Sequence, residues 1–347
     1  MPDTLTKIAY QTFQQGKQAF GYTHKTLANR LREVVSPVEP GRTSEIPPAT
    51  LALLKQRLDE LTEVDWQDAE AGVYPKSLLF DNPWDDFFKY YPAVVFDTPS
   101  VWDRSKQNQY QDFSSDVSTE GYPSYYVQNF HHQTDGYLGD MSANLYDLQV
   151  EILFNGSADP MRRRILAPLK RHIGGTANMP KILDVACGTG RTLKMIRDTL
   201  PQASLHGADL SPAYLRKANE LLSKDPGTLP QLIQANAEAL PYLDDYFEAT
   251  VSVFLFHELP ADVRQTVINE CYRVTKPGGV FIICDSIQKS DTPEFAPMME
   301  NFPNVFHEPY YRHYSTDDIT ARLESAGFHD VEVSNHFMSK YWVAKKS

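Results

Sequence analysis

The stretch with the clearest chemical potential is ILDVACGTGRTL, residues 182–193. Asp184 lies near the end of a predicted buried strand, and Gly188 and Gly190 lie in the turn that leads into a helix. Glycine lets the backbone approach a ligand where a Cβ would block it. A dinucleotide fingerprint requires a third glycine where this chain has Leu193. An acid that precedes the glycines suits a ligand with a positive group better than a pyrophosphate.

A second candidate is QNFHHQTDGYLGD, residues 128–140, in which His131 and His132 are adjacent. The segment alone is compatible with a metal site, a catalytic loop or a buried turn. Adjacent histidines point to opposite sides of a strand and splay apart in a helix, so both rarely ligate one ion. The histidines of the chain also lack the usual ligand spacings. The sequence therefore predicts no metal site.

The elements that must position these residues begin with a mainly helical, aromatic-rich region, residues 1–141. Apolar residues have helical spacing in residues 1–36 and 49–61, with a proline-rich connector at 36–48. Tyr, Phe, Trp and Pro are frequent in residues 74–126. Prolines at that density predict short helices and ordered loops held by aromatic packing.

A basic helix is predicted over residues 158–173, with Asp159 as its cap and Pro160 in its first position. The run Arg162 to Arg164, continued by Lys170 and Arg171, is interpreted as the solvated face of that helix. Beyond it, apolar strands such as KILDVAC, FEATVSVFLF and GGVFIICDS alternate with helices. This alternation predicts an α/β fold whose parallel sheet is covered on both faces. A hairpin near the C-terminus is expected to add an antiparallel strand.

The segment DVACGTG resembles motif I of the class I S-adenosylmethionine-dependent methyltransferases, D/E-x-G-x-G-x-G, with Ala186 at the first glycine position. In GADLSPAYL, Asp209 occupies the position of the family acid that binds the ribose hydroxyls. A carboxylate suits that role because it accepts two hydrogen bonds from a diol. QANAEALPYLDDYFEATVSVFLFHELP and RVTKPGGVFIICD are similar to the later motifs, and Asn236 with the Ala237 amide would face the adenine.

The resemblance implies a Rossmann-like methyltransferase fold for residues 142–347, doubly wound around a mostly parallel seven-stranded sheet with an antiparallel last strand. It is strongest to the ubiquinone/menaquinone-type C-methyltransferases and their small-molecule relatives. S-adenosylmethionine would be the cofactor and S-adenosylhomocysteine the product. The implied cofactor contacts are Asp184, Ala186, Cys187, Gly188, Gly190, Asp209, Leu210, Asn236, Ala237 and Phe254.

The acceptor pocket is expected where the fourth strand ends in FLFHELP, which lacks the Asn/Asp-Pro-Pro-Tyr of enzymes that methylate nucleobase amines or glutamine amides. His257 is either a pocket residue or base, or a structural histidine, and Glu258 caps the next helix or orients His257. The loop FHEPYYRHYS, residues 306–315, either covers the acceptor or packs on its own aromatics. The catalytic candidates are His257, Glu258, His131, His132, His307 and Tyr311, with Glu308, Tyr310 and His313 as further pocket candidates.

The position of residues 128–140 before the core predicts a lid, with Tyr137 and one of the two histidines turned toward cofactor or acceptor. The predicted function is methyl transfer to a small molecule. Two alternatives remain open: methylation of a protein or RNA recognised by the N-terminal region, and a cofactor-binding scaffold without catalysis. The net charge of −12 argues against nucleic-acid binding. Three widely spaced cysteines, and the absence of a signal-like or membrane-spanning apolar run, predict a cytoplasmic location; no oligomeric state is predicted.

Overall fold

The computed structural model describes residues 3–35, 47–82, 84–107, 109–174 and 179–347. Most of the predicted connector at 36–48, namely 36–46, lies outside the described residues. The helices are α1 (Asp3–Val35), α2 (Pro48–Glu70), α3 (Trp84–Gln107), α4 (Asp140–Leu153), α5 (Ala158–Arg163), α6 (Leu166–Ile173), α7 (Arg191–Thr199), α8 (Pro212–Leu222), α9 (Ala261–Val274), α10 (Ala296–Val305), α11 (Tyr311–Tyr314) and α12 (Ile319–Ala326). The strands are β1 (Lys181–Val185), β2 (Ser204–Asp209), β3 (Gln231–Gln234), β4 (Phe247–Val253), β5 (Thr275–Ser286), β6 (Phe328–His336) and β7 (Ser339–Lys346).

The strands form one seven-stranded sheet in the order β3-β2-β1-β4-β5-β7-β6. The pairs from β3 to β5 are parallel, whereas β7 is antiparallel to both β5 and β6. The predicted doubly wound, mostly parallel sheet with an antiparallel last strand is therefore confirmed. The boundary predicted between residues 141 and 142 falls in the first turn of α4, and the division into two domains stays a prediction.

Both faces of the sheet are buried, because alternate residues of each central strand pack against helices on opposite sides. Ile182 and Ile282 belong to the core that contains α6 and α7. Leu183 and Ile283 belong to the core that contains α9 and α12. Parallel strands covered on both faces read as continuous apolar runs, which is why these segments were recognisable in the sequence.

The prediction of short helices in residues 74–126 is wrong for α3, which continues for 24 residues with Pro92 and Pro99 inside it. A proline inside a helix removes one backbone hydrogen bond at a cost of about 3 kcal/mol. Phe87 and Tyr91 of α3 pack edge-on against Phe20 of α1, and Val94 packs with α4. This tertiary packing holds the helix together across its prolines.

The predicted helix at 158–173 is split into α5 and α6, and Asp159 lies inside α5 rather than capping it. The Asp159 carboxylate pairs with Arg162 at 3.0 Å and also with Arg191. The solvated basic face is likewise wrong for Arg162 and Arg163, which are 4% and 1% exposed. These guanidinium groups can be buried because carboxylates neutralise them: Asp159 of the same helix pairs with Arg162, and Asp65 of α2 pairs with Arg163.

One buried ion pair joins the N-terminal helices to α5. Arg163 donates through Nε and Nη2 to the two carboxylate oxygens of Asp65 at 2.9 and 2.6 Å. Asp65 lies on α2, and its carboxylate also accepts hydrogen bonds from the hydroxyls of Tyr10 and Tyr74. Within the described ranges, no helix has the length and apolarity needed to cross a bilayer.

Candidate active site

A cleft lies at the carboxyl ends of β1, β2 and β4, the edge where parallel α/β sheets bind their ligands. It brings together most of the cofactor-binding residues predicted from the sequence. From that set, the cleft is lined by Ala186, Cys187, Gly188, Asp209, Leu210, Asn236, Ala237, Phe254 and Tyr137. The cleft measures about 120 Å³.

The turn after β1 is shaped by three residues with positive φ: Ala186 at 59°, Gly188 at 54° and Gly190 at 81°. At Gly188, an added Cβ would come no closer than 3.9 Å to a described atom, a ring carbon of Tyr214, so this position faces the open cleft. At Gly190, the same atom would lie 3.1 Å from the Cβ of Ala218. Gly188 therefore opens the cleft, whereas Gly190 lets α7 pack against α8.

Ala186 adopts the left-handed conformation without the freedom of glycine. That conformation costs an ordinary L-residue about 1–2 kcal/mol. The strain explains why a glycine is the more usual residue at this point of the turn.

Asp184 is a buried acid below the cleft. It is 1% exposed, and its Oδ2 has no hydrogen-bond partner among the described residues. Burial, and then the nearby charge of Asp209, hold the pKa of this carboxyl well above its usual range. A buried polar atom without a hydrogen-bond partner destabilises the folded protein unless a ligand supplies that partner. Arg162, a cleft residue that the sequence analysis did not assign, supplies a guanidinium nearby.

Asp209 has partners for both carboxylate oxygens. Oδ2 accepts a hydrogen bond from the Gly188 amide and Oδ1 from the Ser211 amide, each at 2.8 Å. Each oxygen keeps a second acceptor position, so the carboxylate can still bind a diol. Burial raises the pKa of Asp209 to about 6, although the backbone hydrogen bonds oppose this shift.

Asn236 uses its side chain locally. Its Oδ1 accepts from the Glu238 amide at 3.0 Å and its Nδ2 donates to the Glu238 carboxylate at 3.1 Å. Cys187 lies in the wall of the cleft, and burial holds the pKa of its thiol well above its usual range. Leu210, Ala235 and Ala237 add apolar side chains to the lining of the cleft.

A second cavity of about 900 Å³ adjoins the cleft. Tyr146, Phe254 and Glu258 line both spaces. Most other walls are apolar and come from α2, α4, α10 and the β6–β7 turn; they include Leu54, Leu58, Met298, Met299, Phe302 and Phe337. Helix α1 contributes mainly polar side chains, among them Gln18, Lys25 and Asn29. The site therefore consists of a polar cleft that opens onto a large apolar chamber.

His257 lines this chamber and is held by Asp285 from behind. Its Nδ1 is 2.7 Å from Oδ1 of Asp285, whose Oδ2 accepts the Phe256 amide at 2.7 Å. Burial alone would lower the pKa of His257, but the charge and hydrogen bond of Asp285 raise it to about 10. Asp285 was not among the predicted site residues, although an acid at the end of the buried strand FIICDS is a signal visible in the sequence.

The two adjacent histidines face different surroundings. His131 lines the chamber, and its Nε2 lies 3.4 Å from Oε1 of Glu258 and 3.0 Å from Oε1 of Glu308. His132 points elsewhere: its ring lies 5.9 Å from that of His307, and its carbonyl accepts from Arg104 at 2.9 Å. Both have positive φ, 55° and 56°, a conformation that costs about 1–3 kcal/mol per residue.

Tyr137 donates a short hydrogen bond to Oε1 of Glu258. This bond connects the predicted lid segment to the end of β4. Glu258 does not cap α9, as one sequence interpretation proposed, because Pro260 occupies the cap position. Its carboxylate lies 3.8 Å from the Nε2 of His257.

Of the remaining candidates from the loop at 306–315, one lines the chamber and two lie outside it. Tyr311 lines the chamber, and its hydroxyl lies 3.0 Å from the Ser286 hydroxyl. His307 lies behind the lid, where its Nε2 is 2.8 Å from Gln128 and its ring stacks on Tyr110 at 4.4 Å. His313 contacts Arg264 and is 59% exposed.

Comparison with known proteins agrees with this geometry. Residues 182–279 match a family model described as a methyltransferase domain. A ubiquinone/menaquinone biosynthesis C-methyltransferase of Desulfotalea psychrophila is 29% identical over 174 residues, which are 50% of this chain and 63% of the relative. A malonyl-[acyl-carrier protein] O-methyltransferase of Geobacter sulfurreducens is 30% identical over 157 residues, 44% of this chain and 57% of the relative.

A demethylmenaquinone methyltransferase of Thermus thermophilus is 34% identical over 105 residues, 30% of this chain and 46% of the relative. In each of these three comparisons the chain spans less than two thirds of the relative's length.

Proposed function

We propose that this chain, a member of the class I S-adenosylmethionine-dependent methyltransferase family, transfers a methyl group to a small, largely apolar molecule. The observation that carries the proposal is the apolar chamber of about 900 Å³ that shares Tyr146, Phe254 and Glu258 with the cofactor cleft. Pockets for small molecules have volumes of about 300–1,000 Å³ and mostly apolar walls with a few polar groups. The chamber has both properties.

The residues of the cleft fit S-adenosylmethionine. Asp209 would accept the ribose hydroxyls, and the orphaned oxygen of Asp184 would face the positively charged amino group. Arg162 would face the carboxylate, and the apolar wall around Leu210, together with the Ala237 amide, would face the adenine. When bound, this cofactor supplies an electrophilic methyl group on a positively charged sulfur.

The chain's own task is to align the acceptor with that methyl group and to exclude water, since in-line displacement depends on proximity and orientation. The apolar walls would hold the body of the acceptor in the chamber. His257, with its ring fixed by Asp285, would hydrogen-bond the polar end of the acceptor. Tyr137 and His131 of the predicted lid would close the site.

The experiment is incubation of the purified chain with methyl-labelled S-adenosylmethionine and a cell extract separated into solvent-extracted metabolites, protein and RNA. We expect label in the solvent-extracted fraction. Label confined to protein or RNA would overturn the proposal in favour of macromolecule methylation. Cofactor binding without any transfer would instead favour the scaffold. A cytoplasmic location remains part of this proposal.

A variant that fills the chamber with a larger side chain tests whether the acceptor binds there. Met298 lines the chamber, so Met298→Trp should reduce labelled product at least tenfold while cofactor affinity stays within about twofold. The control is Met141→Trp, because Met141 is 53% exposed. Equal transfer by both variants would show that the chamber does not hold the acceptor.

A further inference from the structure

We propose that His131, Glu258 and Glu308 bind one divalent metal ion, of the kind represented by Mn²⁺ or Zn²⁺. One ligand atom from each residue lies within 4.8 Å of the other two. The cluster is located where the cleft meets the chamber, since Glu258 lines both spaces and His131 lines the chamber. No family motif and no sequence spacing pointed to these three residues together.

The spacing of the ligand atoms agrees with a shared ion. His131 Nε2 lies 3.0 Å from one oxygen of Glu308 and 3.4 Å from one oxygen of Glu258. Ligands bound at about 2.1 Å in tetrahedral or octahedral geometry are separated by about 3.0–3.4 Å. The side chains therefore need only small adjustments to bind the same ion.

Glu308 supplies an independent reason to expect a ligand. It is 1% exposed, and neither of its carboxylate oxygens has a hydrogen-bond partner among the described residues. Its contact with His131 is close but lacks hydrogen-bond geometry. A buried carboxylate with a purely structural role normally has hydrogen-bond partners, because a buried charge without partners destabilises the folded protein. A metal ion bound beside Glu308 would supply the missing partner of its carboxylate.

The surroundings hold the cluster in place. Tyr137 donates to Glu258 and so fixes that carboxylate, as outer partners commonly do at metal sites. Three carboxylates, those of Glu258, Glu308 and Asp285, meet two imidazoles within this buried region. A divalent cation would balance the charges of the two carboxylates in the cluster, Glu258 and Glu308.

One imidazole and two carboxylates match Mn²⁺ and Zn²⁺, since carboxylates suit Mn²⁺ and imidazole suits Zn²⁺. Three protein ligands leave coordination positions that face the chamber. An oxygen atom of the acceptor could occupy one of them and be polarised there. This last role rests on the proposed function, but the binding of the ion does not.

The experiment is calorimetric titration of cofactor-free, EDTA-treated protein with MnCl₂ and with ZnCl₂, followed by Mn²⁺ electron paramagnetic resonance. We compare the unchanged chain with Glu308→Gln and His131→Asn. Asparagine tolerates the left-handed backbone at position 131. The control is Glu332→Gln, because Glu332 forms an exposed ion pair with Arg171. Circular dichroism and melting curves establish that each variant is folded.

We expect one equivalent of bound metal in the unchanged chain and in Glu332→Gln, with affinity at least tenfold lower in both cluster variants. Absence of stoichiometric binding by the unchanged chain, or unchanged affinity in folded Glu308→Gln and His131→Asn, would overturn the site. A parallel titration with S-adenosylhomocysteine in EDTA tests the cofactor cleft alone. Failure of the metal site is thereby distinguished from failure of the proposed function.

Discussion

Asp184 and Asp209 lie at or near the ends of neighbouring strands, but their surroundings give the two carboxylates different capacities. Asp209 is oriented by two backbone amides, so its remaining lone pairs point in fixed directions suited to a diol. Asp184 has an unsatisfied, buried oxygen, which suits a cation. At the scale of the residue, the same side-chain type is therefore proposed to contact two different parts of S-adenosylmethionine, the ribose and the amino group.

The titration of Asp209 predicts a pH dependence of cofactor binding. Its pKa is raised to about 6, mainly by burial, so the carboxylate is ionised at pH 7.5 and mostly protonated at pH 5. Ribose hydroxyls need the ionised acceptor. We expect the affinity for S-adenosylhomocysteine, measured by calorimetry, to fall about tenfold from pH 7.5 to pH 5, since each unit below the pKa reduces the ionised fraction about tenfold.

The control for this pH dependence is Asp209→Asn, which should bind weakly and with little change over the same range. An unchanged chain that binds equally well at both pH values would show that Asp209 does not hold the ribose.

The two glycines of the β1–α7 turn form a matched pair for substitution by alanine. Both have positive φ, so each alanine should lose about 1–2 kcal/mol of stability. Gly190→Ala adds a clash with Ala218 and should melt at the lower temperature. Gly188→Ala places its methyl group in the cleft and should weaken S-adenosylhomocysteine binding at least tenfold. Cofactor affinity at the level of the unchanged chain in Gly188→Ala would contradict this account.

Asp184, Gly188 and Gly190 could be placed together from the sequence because they are close in the chain, at the point where an apolar strand leads into a helix. The residues around the chamber could not be assembled in the same way. His131 and Glu258 are 127 positions apart, and Glu308 belongs to a third loop. Such contacts arise from tertiary folding, which leaves no periodic signal in the sequence.

At the scale of the element, the lid segment at 128–140 is attached at several points to the loop at 306–315 and to the end of β4. His131 donates its amide to the His307 carbonyl at 3.4 Å, and Gln128 donates to the Tyr310 hydroxyl at 3.1 Å. Tyr137 adds the bond to Glu258. The cleft has a volume of about 120 Å³, and the predicted lid contributes Tyr137 to its lining.

The Tyr137–Glu258 bond is expected to hold this lid closed. Tyr137→Phe removes the donor, so amide hydrogen exchange in residues 128–140 should become at least severalfold faster, because local opening controls exchange. Tyr22→Phe is the control, since Tyr22 is 72% exposed on α1. Equal exchange of the segment in the two variants would show that this bond does not restrain the lid.

The sequence predictions for α3 and α5 were wrong for the same physical reason. Helix α3 crosses two prolines and α5 buries two arginines, although local propensity and charge favoured short helices and a solvated face. In both cases contacts with distant residues, such as Phe20 and Asp65, outweigh the local preference. The strands were predicted well because continuous apolar runs signal burial on both faces without knowledge of the partners.

At the scale of the whole molecule, the N-terminal helices and the sheet build one site together. Leu54 and Leu58 of α2 line the chamber together with Phe254 and Glu258 from the segment that follows β4. The buried Arg163–Asp65 pair fixes α2 against α5. The N-terminal region therefore contributes directly to the walls of the chamber.

This pair predicts a large stability effect. Arg163→Met leaves the Asp65 carboxylate buried without its cation and should reduce the free energy of unfolding in urea by about 3–5 kcal/mol. Adding Asp65→Asn should restore part of the loss. Arg171→Met, which breaks the exposed pair with Glu332, should cost less than about 1 kcal/mol. Similar losses in the two single variants would show that the Arg163–Asp65 pair does not anchor the N-terminal helices.

The most direct test of the central claim, that a cofactor cleft and an acceptor chamber act together, is a crystal structure with S-adenosylhomocysteine. We predict that the ribose binds Asp209 and that the sulfur faces the wall shared by Tyr146, Phe254 and Glu258. Ligand bound elsewhere, or with its sulfur directed away from the chamber, would contradict the account.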